Sequence, residues 1–418
     1  MSEPPVEGWP AESGQRLEKA EALRALGVDL YPTRYERTHT LGDIVAAYGE
    51  KDLGELEKLA VRVRIAGRVM TKRGHGKASF ATLMDGESRL QVYVRQDDVG
   101  ERDYRVFDLV DLGDFIGVEG KVMRTRKGEL SVQAGTLTFL GKALLPLPEK
   151  WHGLADVEVR YRQRYVDLIA NAEVRRTFTA RSTMIGAIRR FLDERGYIEV
   201  ETPMMQPIAG GAMARPFVTH HNALDMDLYL RIAPELYLKR LTVGGLERVF
   251  EINRNFRNEG ISTQHNPEFT MMEFYEAYAD YHALMRMTEE MIAAAARQAV
   301  GGTQITFGEH QISLQPPFVR LSLREAARDA ASRRLHRDVT DADLRDRQKA
   351  AGLARELGIE VEPGHGAGKI ATSIFEALCE AALIQPTFVH DFPTEVSPLS
   401  KQRPDDPDTV ERFELYIG

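Results

Sequence analysis

The stretch Arg248–Tyr281, RVFEINRNFRNEGISTQHNPEFTMMEFYEAYADY, leaves the chain few folds to choose from. Two alternating runs flank a long polar segment, which predicts two strands joined by a loop. Period 2 puts Glu251, Asn253, Asn255, Arg257 and Glu259 on one face of the first strand. It puts Phe269, Met271, Glu273 and Tyr275 on one face of the second. A face built from an arginine, carboxylates and aromatics is poor core material. It can be a solvated polar face, but aromatics interleaved with carboxylates point to a ligand floor.

The rest of the chain is organised around this hairpin. A length of 418 residues predicts two domains with room for an insertion. The Pro- and Glu-containing residues 1–11 read as disordered. Residues 12–26 have a helical composition, with Gly27 as a stop and Leu17, Leu23 and Leu26 available for packing. Residues 61–141 read as five short strands separated by Gly and charged turns: VRVRIAGRVMTKR, KASFATLMD, RLQVYVRQ, DFIGVEGKVMRTR and ELSVQAGTLTFLG. That pattern suggests a small closed barrel of the OB type. A Pro-marked linker follows, ALLPLPEKWHGLADVEVRYRQRYVDL, turning helical near Asp156. Residues 173–195 carry Phe178, Met184, Ile185, Ile188 and Phe191 at roughly helical spacing. GYIEVETPMM then reads as a strand closed by Pro203. The Ala-, Arg- and Leu-rich residues 321–384 read as a helical insertion ahead of the strand TFVHDFP. The expected fold class is therefore α+β. Its parts are an N-terminal helical extension (1–55), an OB-type barrel (56–147) and a mixed-sheet domain (148–418) with its insertion.

Composition narrows the function. The chain is 43% hydrophobic and 28% charged, ordinary for a soluble globular protein. No apolar run approaches a membrane span, and MSEPPVEGWP lacks the pattern of a signal peptide. The single cysteine, Cys379, cannot form an intramolecular disulfide and sits in an apolar helical pattern, so a buried structural thiol is expected. These features point to the cytoplasm. A net charge of −8 argues against a nucleic-acid coat protein. Residues 61–141 nevertheless hold 14 Lys+Arg against 11 Asp+Glu, a local basic balance of the kind an RNA footprint needs. The pair His220-His221 has no spaced carboxylate or cysteine partner and does not read as a metal site.

FRNEG at 256–260, HNPEFT at 265–270 and MMEFYEAYADY at 271–281 closely resemble motif 2 of class II aminoacyl-tRNA synthetases, in the bacterial lysyl-tRNA synthetase version. The resemblance runs from the N-terminal region to the last residue. It implies an aminoacyl-tRNA ligase of protein biosynthesis, activating lysine with ATP to lysyl-adenylate and transferring it to tRNA(Lys). ATP, L-lysine and tRNA(Lys) are the implied partners, with Mg2+ accompanying ATP. RRTFTARSTMIGAIRRFLDERGYIEVETPMM resembles motif 1, which implies a homodimer. An amphipathic core helix is compatible with the same residues. Neither HIGH nor KMSKS, the marks of the other synthetase class, occurs.

The resemblance also implies roles. Charge accumulates on the α-phosphate when a carboxylate attacks it, and a planar guanidinium meets that charge with two parallel hydrogen bonds. Arg257 is the implied catalytic group, with a salt bridge to Glu259 as the competing reading. Glu259, His265, Asn266 and Phe269 complete the implied ATP site, Phe269 stacking on adenine. A strand phenylalanine is as readily core, and a loop histidine is usually just solvated. In APELYLKR, Glu235 is implied to meet the α-amino group of lysine. The alternative is a helix-start carboxylate favoured by the helix dipole. Glu273 and Tyr275 are implied to meet the ε-amine, and Gly211 of IAGGAMARPF to line the same pocket. A relative binding aspartate would need a cation where Glu273 stands, which disfavours an aspartyl or asparaginyl enzyme.

In the barrel, GRVMTKRGHGKASFATLMD and RLQVYVRQ resemble the anticodon-binding domain of the lysyl, aspartyl and asparaginyl enzymes. Arg68, Phe80, Gln91 and Glu129 are the implied base readers. Lys72, Arg73 and Lys77 are placed on phosphates. GHGK is not a P-loop, because Thr71 stands where the first Gly should be and Ala78 replaces Ser/Thr. In the family, FELYIG leads into strands with acidic magnesium ligands and then motif 3. No such segment occurs here. The expectation is a chain truncated before motif 3, without the C-terminal catalytic strands or metal ligands of its own, and with its activity in question. A catalytically inactive tRNA-binding or regulatory module is the alternative.

Overall fold

The computed structural model describes residues 9–148, 154–262 and 264–418. Residues 1–8 of the expected disordered N-terminus, 149–153 of the linker and Thr263 of the hairpin loop lie outside the described residues. The chain forms two compact units, Met1–Phe178 and Thr179–Gly418.

The first unit opens with α1 (Glu12–Ala25), α2 (Leu41–Tyr48) and α3 (Leu53–Leu59). Both α2 and α3 begin at reciprocal capping boxes, Thr40–Asp43 and Asp52–Glu55. Then come β1 (Arg62–His75), β2 (Ala78–Asp85), β3 (Ser88–Arg95), α4 (Gln96–Val99), α5 (Glu101–Asp108), β4 (Phe115–Arg124) and β5 (Leu130–Gly141). The five strands close into a barrel in the order β1-β2-β3-β5-β4, as the five alternating runs predict. All pairs are antiparallel except β3 with β5. Alternation sends Ile65, Leu83, Val92, Ile116, Val118 and Val132 into the core, where Leu23, Leu41, Ile44 and Leu56 from the helices join them. Residues 96–108 carry no strand pattern. They supply α4 and α5, and α5 buries Tyr104 and Phe107.

Three lysines pin this unit. Lys142 is fully buried and reaches Asp111 at 2.6 Å and Asp114 at 2.8 Å, while Lys19 of α1 takes the other Asp111 oxygen at 2.5 Å. Lys72 donates to the carbonyls of Phe107, Asp108 and Val110, at the C-terminal end of α5. Its ammonium satisfies helix-end acceptors, so it does not meet phosphates as the sequence suggests. Burial lowers it to about 8. The unit ends with α6 (Val157–Arg162), α7 (Arg164–Ala170) and the first turns of α8 (Ala172–Asp193).

The second unit begins within α8. GYIEVETPMM does not form one strand. Only β6 (Ile198–Glu199) and β7 (Met205–Gln206) pair. Between them Pro203 has no N–H to give, and the Thr202 amide and hydroxyl donate to the Glu251 carboxylate instead of a ladder. Next come β8 (Val218–His221), β9 (Met226–Leu230), α9 (Glu235–Val243), β10 (Arg248–Phe256), β11 (Glu268–Glu276) and α10 (Tyr281–Val300). The predicted hairpin is present: β10 and β11 pair antiparallel, and β6 adds to β10 in parallel. A small hairpin, β12 (Gln304–Phe307) with β13 (His310–Ser313), leads to β14 (Val319–Ser322). The helices α11 (Leu323–Leu335), α12 (Asp341–Arg345), α13 (Arg347–Glu356) and α14 (Ala367–Leu378) share a core with Val389, Phe392 and Val410. The last sheet has the order β14-β15-β17-β16, with β15 at Thr387–Pro393, β16 at Gln402–Arg403 and β17 at Asp406–Tyr416. Cys379 is half-buried rather than fully buried, its Sγ 3.5 Å from the Ala326 carbonyl, and burial raises its thiol pKa.

Candidate active site and nucleic-acid face

The ladder of β10 and β11 sets the floor. Glu251 stands opposite Glu273, Asn253 opposite Met271 and Asn255 opposite Phe269. Directly opposed residues share a face, so the predicted polar face is present as far as Asn255; the strand ends at Phe256, which leaves Arg257 and Glu259 beyond the ladder. It is not a solvated face, since Glu251 and Asn255 are each 1% exposed. Glu251 is held by Arg231, at 2.7 Å, and by Thr202. Arg231 is itself fully buried and was not legible in the sequence. Its only signal was a charge directly after the apolar residues Leu228–Leu230, and a buried arginine requires a carboxylate that the sequence does not locate.

Glu235 opens α9, and Gly211 lies against it. A Cβ at Gly211 would sit 2.9 Å from the Glu235 Cβ, and the backbone there has φ +89°. Only glycine fits that approach. Lys239 pairs with Glu235 at 2.6 Å on the exposed side of the helix. Glu273 accepts the Tyr275 hydroxyl at 3.0 Å and has no cation within 4 Å among the described residues. Burial raises its carboxyl above the ordinary glutamate range; the tyrosine hydrogen bond and the more distant charge of Arg231 oppose this, and Glu235 and Glu251 add to it. Burial and Glu273 together push the Tyr275 hydroxyl strongly upward. Glu235, Glu251 and Glu273 thus crowd one side of the floor, and two of the three are already paired.

Arg257 follows β10 directly, its N–H bonded to the Pro267 carbonyl at 2.8 Å. No ion pair with Glu259 forms, and Glu259 is exposed. The guanidinium lies 5.2 Å from the Phe269 ring centroid, and its buried Nε has no hydrogen-bond partner among the described residues. A buried donor without an acceptor is costly, so this arginine is poised for an anion. Phe269 is half-buried and not part of a core cluster. His265 and Asn266 are exposed, bonded to Ser262 and to the Glu268 carbonyl. The Asn258 N–H donates to the Arg215 carbonyl at 2.7 Å, which ties the Gly-rich loop to the hairpin loop.

On the barrel, Phe80, Gln91 and Glu129 are brought together. Phe80 stacks on Tyr93, with centroids 4.6 Å apart, Gln91 donates to Glu129 at 2.9 Å, and Gln91 pairs with Ser131. Tyr93 belongs to this platform, and its parity with Gln91 was the available signal. Arg68 does not join it. Arg68 pairs with Met84, four residues along β2 from Phe80, or roughly 13 Å at about 3.3 Å per residue. Arg73 is the cation opposite Phe80.

His220 pairs with Asp225 and Asp227 on an exposed hairpin, and no group of three or more His, Cys, Asp or Glu among the described residues could hold a metal. Among the described residues, no helix is long and apolar enough to cross a membrane.

Residues 156–418 match the family described as tRNA synthetases class II (D, K and N), and residues 63–140 match the OB-fold nucleic acid binding domain. The chain therefore belongs to the class II tRNA synthetases of the D, K and N group, a family of aminoacyl-tRNA ligases. Within that group it is similar to lysine–tRNA ligases. The one from Carboxydothermus hydrogenoformans is 54% identical over 403 residues, covering 96% of this chain and 80% of the relative. That from Serratia proteamaculans is 54% identical over 409 residues, covering 97% and 80%. That from Cronobacter sakazakii is 53% identical over 426 residues, covering 100% and 83%.

Proposed function

We propose that the protein activates lysine with ATP and transfers it to tRNA(Lys). One observation carries the choice of amino acid: Glu273, half-buried beside Tyr275, is a carboxylate without a cation, in a place where Glu251 already has Arg231. An ammonium ligand is the chemistry that completes it. Glu235 is then the partner of the α-amino group, with Gly211 giving the close approach, and Glu273 and Tyr275 hold the ε-amine. A pocket for aspartate or asparagine would not crowd carboxylates in this way.

ATP lies on the same floor. Phe269 stacks the adenine, Arg257 meets the α-phosphate, and Glu259, His265 and Asn266 reach in from the loop. The unpartnered Nε of Arg257 supports this reading. Its guanidinium would stabilise the charge that develops as the lysine carboxylate attacks and pyrophosphate leaves. Magnesium accompanies ATP in this reading, but the described residues offer it no three-ligand cluster. Phe80, Gln91 and Glu129 read the anticodon, with Arg73 in the place first given to Arg68. Pairing of two copies through the α8–β6–β7 segment is supported by its exposed Met184, Ile198 and Met205.

The test is amino-acid-dependent ATP–pyrophosphate exchange, run with lysine, aspartate and asparagine. Lysine alone should support exchange, and Arg257→Ala should lower it by several orders of magnitude while tRNA binding persists. Exchange driven by aspartate or asparagine would overturn the choice of amino acid. Near-normal exchange in Arg257→Ala would remove the arginine from the chemistry. tRNA binding without any exchange would support a binding module instead.

A further inference from the structure

The displaced Arg68 has a site of its own. It lines an open cleft of about 400 Å³ within the first unit, together with Tyr35, Arg37, Asp85, Phe115 and Arg175. Three guanidiniums face one carboxylate there. Asp85 is already occupied, accepting from Arg37 at 3.2 Å and from the Leu41 amide at 2.9 Å. Arg68 lies over the Phe115 ring at 4.2 Å and donates one nitrogen to the Gly113 carbonyl. Arg175 donates one nitrogen to the Leu168 carbonyl at 2.7 Å. Neither has a carboxylate within 4 Å among the described residues. Both side chains are fixed by a carbonyl and keep free donors.

Two like charges sharing a half-buried site disfavour each other, and an anion between them relieves the strain. The Arg68 guanidinium accordingly has its pKa lowered, by burial first and by Arg175 second. The aromatic wall is equally fixed. The Tyr35 ring covers Gly117 so closely that a Cβ there would come within 2.4 Å of it. A planar fork held on an aromatic face is the arrangement that recognises phosphate with geometric specificity.

We propose that this cleft is a phosphate-binding site that takes a backbone phosphate of RNA, apart from the base-reading face at Phe80. The phosphate chemistry follows from the cleft alone, and the RNA source rests on the anticodon reading above. The cleft and the platform share the β1–β2 ribbon, so one strand of RNA passing along it would meet bases at one end and this phosphate site at the other. The contact carries no sequence information.

The full chain and the variants Arg68→Gln, Arg175→Gln and Phe80→Ala are titrated with tRNA(Lys), with the same tRNA bearing a foreign anticodon, and with inorganic phosphate alone. The two arginines lie on different elements, so a folding defect in one variant leaves the other informative. Each arginine variant should weaken both tRNAs by the same factor, roughly fivefold to tenfold, as for one lost charge-assisted hydrogen bond. Each should also reduce the slope of log affinity against log salt by about 1. Phe80→Ala should weaken only tRNA(Lys). If Phe80→Ala changes nothing, the anticodon reading fails while the cleft still stands on the arginine variants. Inorganic phosphate raising the melting temperature of the parent but of neither arginine variant, with tRNA affinity unchanged, would support the site and assign it to free phosphate. Unchanged affinity and slope together with no phosphate response would overturn the proposal. So would an effect of the arginine variants confined to tRNA(Lys).

Discussion

At the scale of single residues, the floor of the second unit is governed by which charges already have partners. Glu251 and Arg231 neutralise each other in the interior, although one guanidinium nitrogen of Arg231 stays without a hydrogen-bond partner among the described residues. Glu273 has a hydroxyl and, among the described residues, no cation in ion-pair contact, and burial raises its carboxyl despite the more distant charge of Arg231. Glu273→Gln keeps the shape and removes the charge. Lysine affinity should fall by roughly 2–4 kcal/mol, as when one member of a buried pair is lost, and ATP affinity should barely change. Calorimetric titration with each ligand checks this, and equal losses for both would make the residue structural. Stability should move the other way. A raised folded carboxyl contributes stability that is complete in acid and disappears as pH rises through its folded value. The neutral glutamine should therefore hold or raise the melting temperature near neutrality and make no difference in acid. A lower melting temperature at neutral pH would show that the ionised carboxylate has a stabilising partner.

At the scale of elements, two features decide how the barrel is used. The first is the outward face of β2, β3 and β5, where Phe80 stacks on Tyr93 beside Gln91. Phe80→Ala should weaken binding of an isolated tRNA(Lys) anticodon stem-loop and leave lysine activation intact. Unchanged stem-loop binding would show that the barrel does not read bases through this residue. The second is the attachment of α1 through Lys19, Asp111, Asp114 and Lys142. Lys142→Met leaves two aspartates without their shared cation and should cost roughly 3–5 kcal/mol, measured by urea unfolding of the first unit's transition. Burial pushes Asp111 upward, but hydrogen bonds from Lys142 and Lys19 overcome it and hold the carboxyl below the ordinary range. That contribution is present above the ordinary aspartate value and is lost as pH falls through the depressed one. A pH scan of the same transition should show the parent losing stability there and Lys142→Met losing much less.

At the scale of the whole molecule, the exposed apolar residues of one segment bear on assembly. Met184 is 39% exposed, Ile198 48% and Met205 55%, all along α8, β6 and β7. If these side chains form one contiguous patch when two copies meet, they are the kind of surface that association covers. The parent should sediment as a dimer and Ile198→Asp as a monomer, with the helical content of the variant unchanged. A parent that is monomeric at tens of micromolar would remove the pairing from the functional reading.

Features that depend on local pattern can be read along the chain. Five alternating runs specify five barrel strands, and the parity of Glu251, Asn255, Glu273 and Phe269 specifies one polar face, because side chains in a strand alternate with period 2. The similarity of motifs then carried the family, at 54% identity to its relatives. Which charges meet depends on how the chain folds. Folding paired Arg231 with Glu251, spent Lys72 on the end of α5, moved Arg68 away from Phe80 and set Arg73 opposite it. It also cut GYIEVETPMM to two short pairings, because Thr202 serves Glu251. Each of these turns on a partner distant in the chain. Strand alternation says which face a side chain is on, but only the folded register and the neighbouring elements say what stands across from it.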